Sequence, residues 1–381
     1  MRRPRVLAVS NYYPPHHVGG YELGCADLVT RLRERGYTVE VLTSTRGVTE
    51  PESRDGVHRW LDLEYSQNQA SRARRLAYLA VREVRSRRAF DRACELVKPD
   101  LVYAFNLKDI SVSMMFRAER RGLPVHYFAS DDWLAHWERD LYHRVRHSHR
   151  ELDLSRTQFV SEYLKRSAFE AGKPVARGRV IPWGIEIARY SERPTGPNRG
   201  RLLFAGQLAA HKGLHTAIEA LALVHKQRPK SAPKLTLAGR FLDGEYEARI
   251  RGAIARHGLG DSVELLGSVP RERLAGLFAA HDVFVFASVW EEPFSIVLLE
   301  AMASGLAVVA TATGGSPEIL RDRDNCLVFT KEDAEACAAR IGELASDADL
   351  FERVRRRGSE VVRERYQLSH MVDEVERALL A

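Results

Sequence analysis

Short apolar runs alternate along this chain with longer amphipathic segments, and this alternation constrains the fold more than any other feature. The apolar runs include RVLAVS (5–10), TVEVLT (38–43), RLLFA (201–205) and KLTLA (234–238). Between them, apolar residues recur at helical spacing. Strands that are separated by helices form parallel sheets with helices on both faces. The alternation therefore predicts an α/β fold of the doubly wound kind.

The strand–helix alternation stops and restarts near the middle of the chain, which predicts two domains. Residues 192–200 (ERPTGPNRG) separate the two sets and are rich in Pro, Gly and polar residues, as linkers are. The 381 residues also exceed one ordinary core. We expect one Rossmann-like domain over residues 1–190, a second over 191–365, and a closing helix over 366–381.

Composition and cysteine usage exclude several classes of protein. The longest apolar runs, such as Val283 to Ala287, are far shorter than the ~20 residues of a membrane-spanning helix. The basic start MRRPR is not followed by a long apolar stretch, so we expect a cytoplasmic protein. Four scattered cysteines without a CxxC pair predict buried, reduced thiols rather than disulfides or a structural zinc site: Cys25, Cys94, Cys326 and Cys337. The net charge of +7 favours anionic partners without identifying them.

Two loops that follow predicted strands contain glycines next to a helix start, where ligands of doubly wound sheets bind. The first, NYYPPHHVGGYE (11–22), holds Gly19 and Gly20, which would let the backbone approach a ligand; an ordinary turn is the alternative. The second, FAGQLAAHKG (204–213), places Lys212 before a helix, where the helix dipole disfavours a cation unless an anion binds it.

A third loop, EEPFS (291–295), precedes the apolar run IVLLEAMAS. Ser295 is a candidate N-cap, and the N–H groups of Ser295 and Ile296 would be free to bind an anion. Glu292 lies before the helix and Glu300 lies inside it, among apolar neighbours. Because an unpaired buried carboxylate is costly, Glu300 either binds ligand hydroxyls or pairs with a nearby Arg or Lys.

Taken together, the motifs PPHHVGGYE, GQLAAHKG, EEPFSIVLLEAMASG and ATATGGSPEIL resemble the retaining, nucleotide-sugar-dependent glycosyltransferases of family 4. The resemblance covers essentially the whole chain. It implies the GT-B fold, in which two Rossmann-like domains face each other across a cleft. It also implies that the N-terminal domain binds the acceptor, that the C-terminal domain binds the donor, and that the closing helix packs on the N-terminal domain.

The resemblance also implies a role for individual residues. Glu300 would bind the ribose, Glu292 the donor sugar, and Lys212 the diphosphate. The remaining candidate donor-site residues are Gly19 and Gly20 at the phosphates, Phe294, Ser295 and Ile296 at the sugar and phosphate, Arg240 and Gly267 near the base, and Glu318 as support.

Two positions depart from the family pattern. Gln207 replaces an Arg that usually lies five residues before the lysine, so one cation on the diphosphate is missing. In FASDDWL (128–134), Ser130 takes the place of a His, and is followed by Asp131, which would bind sugar hydroxyls or cap a helix. The family is thought to use front-face attack with the phosphate as base, so neither a cofactor nor a metal is expected.

Some further features have competing interpretations. Asp322-Arg323-Asp324 is interpreted as a surface turn rather than a metal site, and His143, His147 and His149 as a solvated basic segment. The arginine-rich helical stretch Arg72–Arg88 is either a solvated face or a contact with an anionic membrane, which would make the protein peripheral to the inner face. Nucleic-acid binding is not expected, since no recognition motif accompanies the charge.

The sequence thus predicts a bacterial hexosyltransferase that moves a sugar from a nucleotide sugar to a glycan, lipid-linked or small-molecule acceptor. The rivals are a hydrolysing nucleotide-sugar 2-epimerase and a catalytically silent sugar-nucleotide-binding protein. The element formed by Glu292, Glu300 and Lys212 does not resemble the epimerase pattern, whereas Gln207 and Ser130 make the silent protein conceivable.

Overall fold

The structure, a computed structural model, describes residues 2–16, 19–46, 55–63, 72–108, 110–136, 152–190 and 199–381, with residues 72–77 and 136 described by their backbone alone. The chain divides into two compact units. The first unit comprises Met1–Pro182 and Val372–Ala381, and the second comprises Trp183–Met371. Most of the expected linker and the three candidate histidines, His143, His147 and His149, lie outside the described residues.

The division falls at 182/183, whereas the sequence suggested 190/191. Residues 183–190 belong to the second unit because their side chains pack there: Ile185 and Tyr190 are buried in an apolar cluster with Phe278 and Leu298. In addition, the Ile185 N–H donates to the Tyr366 carbonyl at 2.9 Å.

The first unit contains a seven-stranded parallel sheet in the order β3-β2-β1-β4-β5-β6-β7. Its strands are β1 (Arg5–Ser10), β2 (Thr38–Ser44), β3 (Val57–Leu61), β4 (Leu101–Asn106), β5 (Val125–Ala129), β6 (Thr157–Phe159) and β7 (Arg179–Val180). Its described helices are α1 (Gly20–Glu34), α2 (Arg72–Val97), α3 (Ser113–Arg120), α4 (Trp133–His136) and α5 (Glu162–Glu170). In the central register, Val6 of β1 pairs with Val39 on one side and Leu101 on the other.

The second unit contains a six-stranded parallel sheet in the order β10-β9-β8-β11-β12-β13. Its strands are β8 (Arg201–Ala205), β9 (Lys234–Ala238), β10 (Val263–Gly267), β11 (Val283–Phe286), β12 (Ala307–Thr311) and β13 (Leu327–Phe329). The helices are α6 (Leu214–Gln227), α7 (Gly244–Arg256), α8 (Arg271–Ala279), α9 (Ile296–Ala303), α10 (Ala334–Ser346), α11 (Ala348–Arg365) and α12 (Leu368–Leu380), which continues into the first unit.

Alternate residues of the second sheet enter two different apolar clusters. Leu202 and Val283 pack in one cluster with α6, α7 and α10, while Leu203 and Phe284 pack in the other with α8, α9 and α11. This period of two shows that helices cover both faces of the sheet, as expected for buried parallel strands.

The last helix, α12, is attached within the first unit by charged side chains. Glu376 forms ion pairs with Arg3 at 3.0 Å and Arg35 at 2.8 Å, and Asp373 pairs with Arg35 at 2.6 Å. The Tyr37 hydroxyl also donates to Glu376 at 3.0 Å.

In each sheet, the order in which the strands are added reverses at the first strand. The chain leaves β1 for β2 on one side and places β4 on the other; β8 lies in the same way between β9 and β11. The loops after β1 and β4, and after β8 and β11, therefore diverge at the carboxyl edge, where ligands of such sheets bind. All four cysteines are buried and free, as predicted. Within the described ranges, no helix has the length and apolar character needed to cross a bilayer.

Candidate active site

Three loops of the second unit meet at the carboxyl edge of its sheet: 206–213 after β8, 287–295 after β11, and 312–316 after β12. Backbone hydrogen bonds join them. The N–H groups of Val289 and Trp290 donate to the His211 carbonyl at 3.0 and 3.1 Å, and the Gly315 N–H donates to the Glu292 carbonyl at 2.7 Å. The residues of these loops are thus held in one place although they are up to 110 positions apart in sequence.

Two glycines make this packing possible. Gly213 has a φ of 69°, and a Cβ there would lie 1.8 Å from the carbonyl oxygen of Ala287. Gly314 has a φ of 57°, and its Cβ would lie 2.2 Å from the carbonyl oxygen of Glu292. Any other residue would combine left-handed backbone strain with a steric clash against main-chain atoms.

Lys212 and Glu292 lie side by side in this site. The Lys212 ammonium forms an ion pair with Oε1 of Glu292, which also accepts a hydrogen bond from the Ser288 hydroxyl at 2.8 Å. Glu292 is 6% exposed, whereas a quarter of the Lys212 side chain is accessible. The sequence assigned these two residues to the diphosphate and the sugar separately; the structure places a cation and an anion in direct contact.

Glu300 lies in the second turn of α9 and is half-buried. Its Oε1 accepts a hydrogen bond from the hydroxyl of Tyr190 at 2.7 Å. Burial and the neighbouring Glu300 charge raise the pKa of Tyr190, which keeps the hydroxyl protonated as the donor. Sequence reasoning missed Tyr190, because nothing local connects it with a residue 110 positions away.

The start of α9 is also at this edge. Ser295 occupies the N-cap position with an extended backbone, but its side chain makes no capping hydrogen bond. The N–H groups of the first turn, which starts at Ile296, have no acceptor within the helix and carry its positive end. Phe294, just before, packs on the ring of Tyr366 at 5.9 Å.

His211 adjoins Lys212 and is half-buried. Burial lowers its pKa, and the adjacent Lys212 ammonium lowers it further, so the imidazole is neutral at physiological pH. Its ring faces Trp290 at 6.4 Å between centroids.

The other candidate residues of the second unit surround this centre. The Leu208 N–H donates to the carbonyl of Arg240 at 3.0 Å, and the Gly239 N–H donates to Gly267 at 2.8 Å, so the loops after β8, β9 and β10 are adjacent. Gln207 and Glu318 are half-buried, whereas Arg240 and Gly267 are exposed. The Glu318 carbonyl accepts a hydrogen bond from the Tyr366 hydroxyl at 3.1 Å.

The remaining candidates, Gly19, Gly20 and Asp131, belong to the first unit. Asp131 follows β5 and accepts hydrogen bonds from the Asn106 amide at 2.8 Å and from the Trp133 N–H at 3.1 Å. Its carboxylate therefore caps α4, and burial raises its pKa. Gly20 begins α1, and the Gly19 N–H donates to Glu22 at 3.0 Å.

A polar network that the sequence analysis missed lies at the carboxyl edge of the first sheet. The Tyr21 hydroxyl donates to Oδ1 of Asn11 at 2.8 Å, and the Asn11 amide donates to the Lys108 carbonyl at 3.1 Å. Asn11 directly follows β1 and Asn106 ends β4. An asparagine at the end of each of two buried apolar runs was the signal that could have identified it.

The structure also bears on the features with competing interpretations. Asp322-Arg323-Asp324 is an exposed turn, in which Arg323 has a φ of 60° and Asp322 accepts the Val328 N–H at 2.8 Å. Within the described part of the chain, no three His, Cys, Asp or Glu side chains are grouped as metal ligands.

Comparisons with known proteins agree with this architecture. Residues 18–189 match the family model described as Glycosyltransferase Family 4, and residues 191–361 match the model described as Glycosyl transferases group 1. A crystal structure of Anabaena HepE in complex with UDP and glucose superposes with a TM-score of 0.76, at 21% identity, covering 99% of each chain. At this identity the superposition identifies the fold alone.

Two curated relatives are similar over part of their length. The putative colanic acid biosynthesis glycosyltransferase WcaL of Salmonella typhimurium is 30% identical over 200 residues, which are 50% of this chain and 48% of WcaL. The GDP-mannose:cellobiosyl-diphosphopolyprenol alpha-mannosyltransferase of Xanthomonas oryzae is 32% identical over 198 residues, 52% of this chain and 51% of that enzyme. The chain thus matches about half the length of these relatives.

The two family models together account for nearly the whole chain, one in each half, and the two parallel sheets have the topology that the GT-B fold requires. The predicted fold and family are confirmed, whereas retention of configuration stays a prediction. The chain belongs to the glycosyltransferases of family 4, group 1 type, with the GT-B fold.

Proposed function

We propose that this protein transfers a hexose from a nucleotide-diphosphate sugar to a hydroxyl group of a glycan, a lipid-linked or a small-molecule acceptor. The observation that carries the proposal is the grouping of Lys212, Glu292, the start of α9 and Glu300 at the carboxyl edge of the second sheet. This edge is where doubly wound sheets bind their ligands.

The chemistry needs positive potential where the diphosphate leaves. Glycosyl transfer from a sugar diphosphate builds negative charge on the departing phosphates, and fixed cations and helix N-termini stabilise that charge. Lys212 would exchange part of its contact with Glu292 for phosphate oxygens. Glu292, released from one partner, would accept hydrogen bonds from sugar hydroxyls.

Glu300 suits the ribose. The Tyr190 hydroxyl donates to its Oε1 at 2.7 Å and fixes the carboxylate, whose oxygens would accept hydrogen bonds from the ribose hydroxyls. Gln207 would contribute neutral hydrogen bonds where the family usually has an arginine. Arg240 and Gly267 would adjoin the base, with Phe294, Ser295, Ile296 and Glu318 supporting the donor.

In the first unit, Gly19 and Gly20 would approach the phosphates and Asp131 would bind sugar hydroxyls, as the family resemblance implies. The raised pKa of Asp131 and its place at the end of β5 make it a candidate for contact with sugar hydroxyls as well as a helix cap. We further propose retention of configuration and catalysis without a metal, on the strength of the family resemblance. We expect activity to be unchanged by EDTA and the product to have the donor's anomeric configuration.

The relatives support a sugar-nucleotide donor but leave the base open. HepE was crystallised with UDP and glucose, whereas the name of the Xanthomonas enzyme specifies GDP-mannose. The names of WcaL and of the Xanthomonas enzyme support glycan biosynthesis, and the latter specifies an acceptor on diphosphopolyprenol.

The test is a screen of UDP-, GDP-, ADP- and TDP-sugars for binding and slow hydrolysis, with the wild type, Lys212→Ala and Glu300→Ala. Matched controls are Lys226→Ala and Glu335→Ala, which remove exposed side chains of the same type from α6 and α10. We expect the protein to bind one nucleotide and to hydrolyse the corresponding nucleotide sugar slowly. The two site variants should lose both binding and hydrolysis, and the control variants should retain them. Binding without turnover, even with acceptors, would favour the silent protein; epimerisation of the donor alone would favour the epimerase.

We also propose that α2 contacts an anionic membrane. Its exposed surface combines Tyr78, Val81 and Val84 with Arg85 and Arg88. Arg82, which the sequence placed in the basic stretch, is 2% exposed and does not belong to this surface, because it points into the unit. The side chains of residues 72–77 lie outside the described set. We expect the protein to float with anionic vesicles but not with zwitterionic ones, and Val81→Asp/Val84→Asp to abolish this flotation. Equal flotation of the variant would refute the contact.

A further inference from the structure

A cavity of about 390 Å³ opens on the first unit, at the amino ends of β5, β6 and β7. Its walls include His126 near the start of β5, Thr157 at the start of β6 and Arg179 at the start of β7, with Ala378 of α12 alongside. These strand ends are opposite the carboxyl edge that holds Asn106 and Asp131. The cavity is therefore separate from the candidate active site, and its volume is within the range of small-molecule pockets.

The rim of this cavity is positively charged. Arg156, Arg177 and Arg179 line it, and all three are exposed. Asp153 lies 3.9 Å from Arg156, and its pKa is lowered first by hydrogen bonds from Ser155 and then by the charges of Arg156 and Arg177. Glu119 is also close to Asp153, since its carboxylate accepts the Asp153 N–H at 3.2 Å. Arg177 and Arg179 form no ion pair with any carboxylate of the described chain. Because the side chains that line the cavity include three guanidinium groups and no carboxylate, the rim is positively charged.

Two buried polar side chains, Gln158 and His126, line the base of the cavity. Gln158 is 2% exposed; its Oε1 accepts a hydrogen bond from Tyr103 at 2.7 Å, but its Nε2 has no hydrogen-bond partner. His126 is 3% exposed. Burial, followed by the charge of Arg156, lowers the pKa of His126 to about 4, so its imidazole is neutral and carries one N–H donor. An unpaired buried donor is costly, so an acceptor that reaches the Gln158 amide would be favourable.

We propose that this cavity binds a phosphorylated small molecule, with the phosphate held by Arg156, Arg177 and Arg179 and by the N–H donors of Gln158 and His126. Guanidinium groups match phosphate oxygens in geometry and charge, and neutral donors at the base provide hydrogen bonds that a dianion accepts. Because the cavity is larger than a phosphate ion, the rest of the ligand would occupy the space towards α12.

The test is a calorimetric titration of the full chain with glucose 6-phosphate, inorganic phosphate and glucose. We expect saturable binding of glucose 6-phosphate and weaker binding of inorganic phosphate, with no binding of glucose. In Arg177→Ala/Arg179→Ala, the affinity for both phosphates should fall at least about tenfold, because each lost charge-assisted hydrogen bond removes about that factor or more. Equal affinity for both phosphates would still support phosphate recognition.

Two further variants separate this site from the others. Arg166→Ala removes an exposed arginine from α5 of the same unit and should bind both phosphates as the wild type does. Lys212→Ala should also keep this binding, because Lys212 belongs to the second unit. Three results would each overturn the proposal. The wild type would fail to bind at millimolar phosphate, Arg177→Ala/Arg179→Ala would bind with wild-type affinity, or Lys212→Ala would lose phosphate binding.

A spectroscopic signature accompanies binding. A phosphate next to His126 should shift its imidazole resonances and raise its pKa from about 4, which a purely structural role of the arginines would not do. Unchanged His126 resonances in the presence of saturating glucose 6-phosphate would contradict contact at the base of the cavity.

Discussion

At the scale of single residues, the ion pair of Lys212 with Glu292 can be tested by its coupling energy. Glu292 is 6% exposed, so Lys212→Met leaves a buried carboxylate whose one remaining side-chain partner among the described residues is the Ser288 hydroxyl. We expect a loss of about 1–3 kcal/mol in the free energy of unfolding, below the value for a fully buried pair because Lys212 is partly accessible. Adding Glu292→Gln to Lys212→Met should restore part of the lost free energy of unfolding. Additive losses in a double-mutant cycle measured by urea unfolding would contradict the pairing.

Two glycines with nearly the same backbone conformation provide a matched comparison. Gly213 has a φ of 69° and a Cβ there would clash with Ala287, whereas Gly258 has a φ of 65° and nothing within 4 Å of its Cβ position. Gly258→Ala should cost about 1 kcal/mol from left-handed strain alone. Gly213→Ala should cost about 3 kcal/mol or more and also weaken nucleotide binding, since Lys212 precedes it. Similar melting temperatures for the two variants would show that the loops adapt.

The residue types of the site were predictable, but their partners were not. Lys212, Glu292 and Glu300 were identified from their places in motifs. The contacts of Lys212 with Glu292 and of Tyr190 with Glu300 join residues 80 and 110 positions apart, and only the folded sheet brings these together. No local pattern encodes such a pairing.

At the scale of elements, helix α2 is joined to the loop before α3 through Glu83. Burial tends to raise the pKa of Glu83, but hydrogen bonds from Ser111 and Ser113 and the Arg87 charge outweigh it, so the pKa is below its usual range. A depressed pKa stabilises the fold above the unfolded value of about 4.3, and this stabilisation disappears as the pH falls through the folded value. The free energy of unfolding should therefore decrease more steeply below about pH 5 in the wild type than in Glu83→Gln. Parallel pH profiles would contradict this role; Glu95→Gln, exposed on the same helix, is the control.

The attachment of α12 to the first unit depends on Arg35, which pairs with both Asp373 and Glu376. In Arg35→Ala, amide hydrogens of residues 372–380 should exchange about fivefold faster, corresponding to about 1 kcal/mol for partly exposed ion pairs. Arg377→Ala is the matched control, because the Arg377 side chain is 65% exposed and, among the residues that the structure describes, pairs with Glu374 of its own helix alone. Equal exchange in the two variants would assign the attachment to apolar packing instead.

The elements themselves were predicted unevenly. Apolar runs that are buried on both sides, such as Arg201–Ala205 and Lys234–Ala238, were located to the residue, because a central parallel strand has a continuous apolar pattern. Strand β3 (Val57–Leu61) was missed, since HRW interrupts its apolar pattern at the edge of the sheet. Helix α9 begins at Ile296, directly after Ser295, which is the N-cap as predicted.

At the scale of the whole molecule, the two-domain organisation followed from the repeated strand–helix pattern, while the point of division did not. Residues 183–190 join the second unit through burial of Ile185 and Tyr190, which depends on tertiary packing. The cavity beside β7 was likewise not predictable, because Arg156, Arg177 and Arg179 come together only through the order of β5, β6 and β7.

The most direct test of the central claim is hydrogen exchange of the whole chain with and without the nucleotide diphosphate that binds best. If the donor site is the carboxyl edge of the second sheet, amides of residues 206–214 and 288–303 should gain protection, while those of α7 and α10 should not. Glu300→Ala should lose this protection at the same nucleotide concentration. Protection confined to the first unit, or the same protection in Glu300→Ala, would contradict the assignment of the donor site.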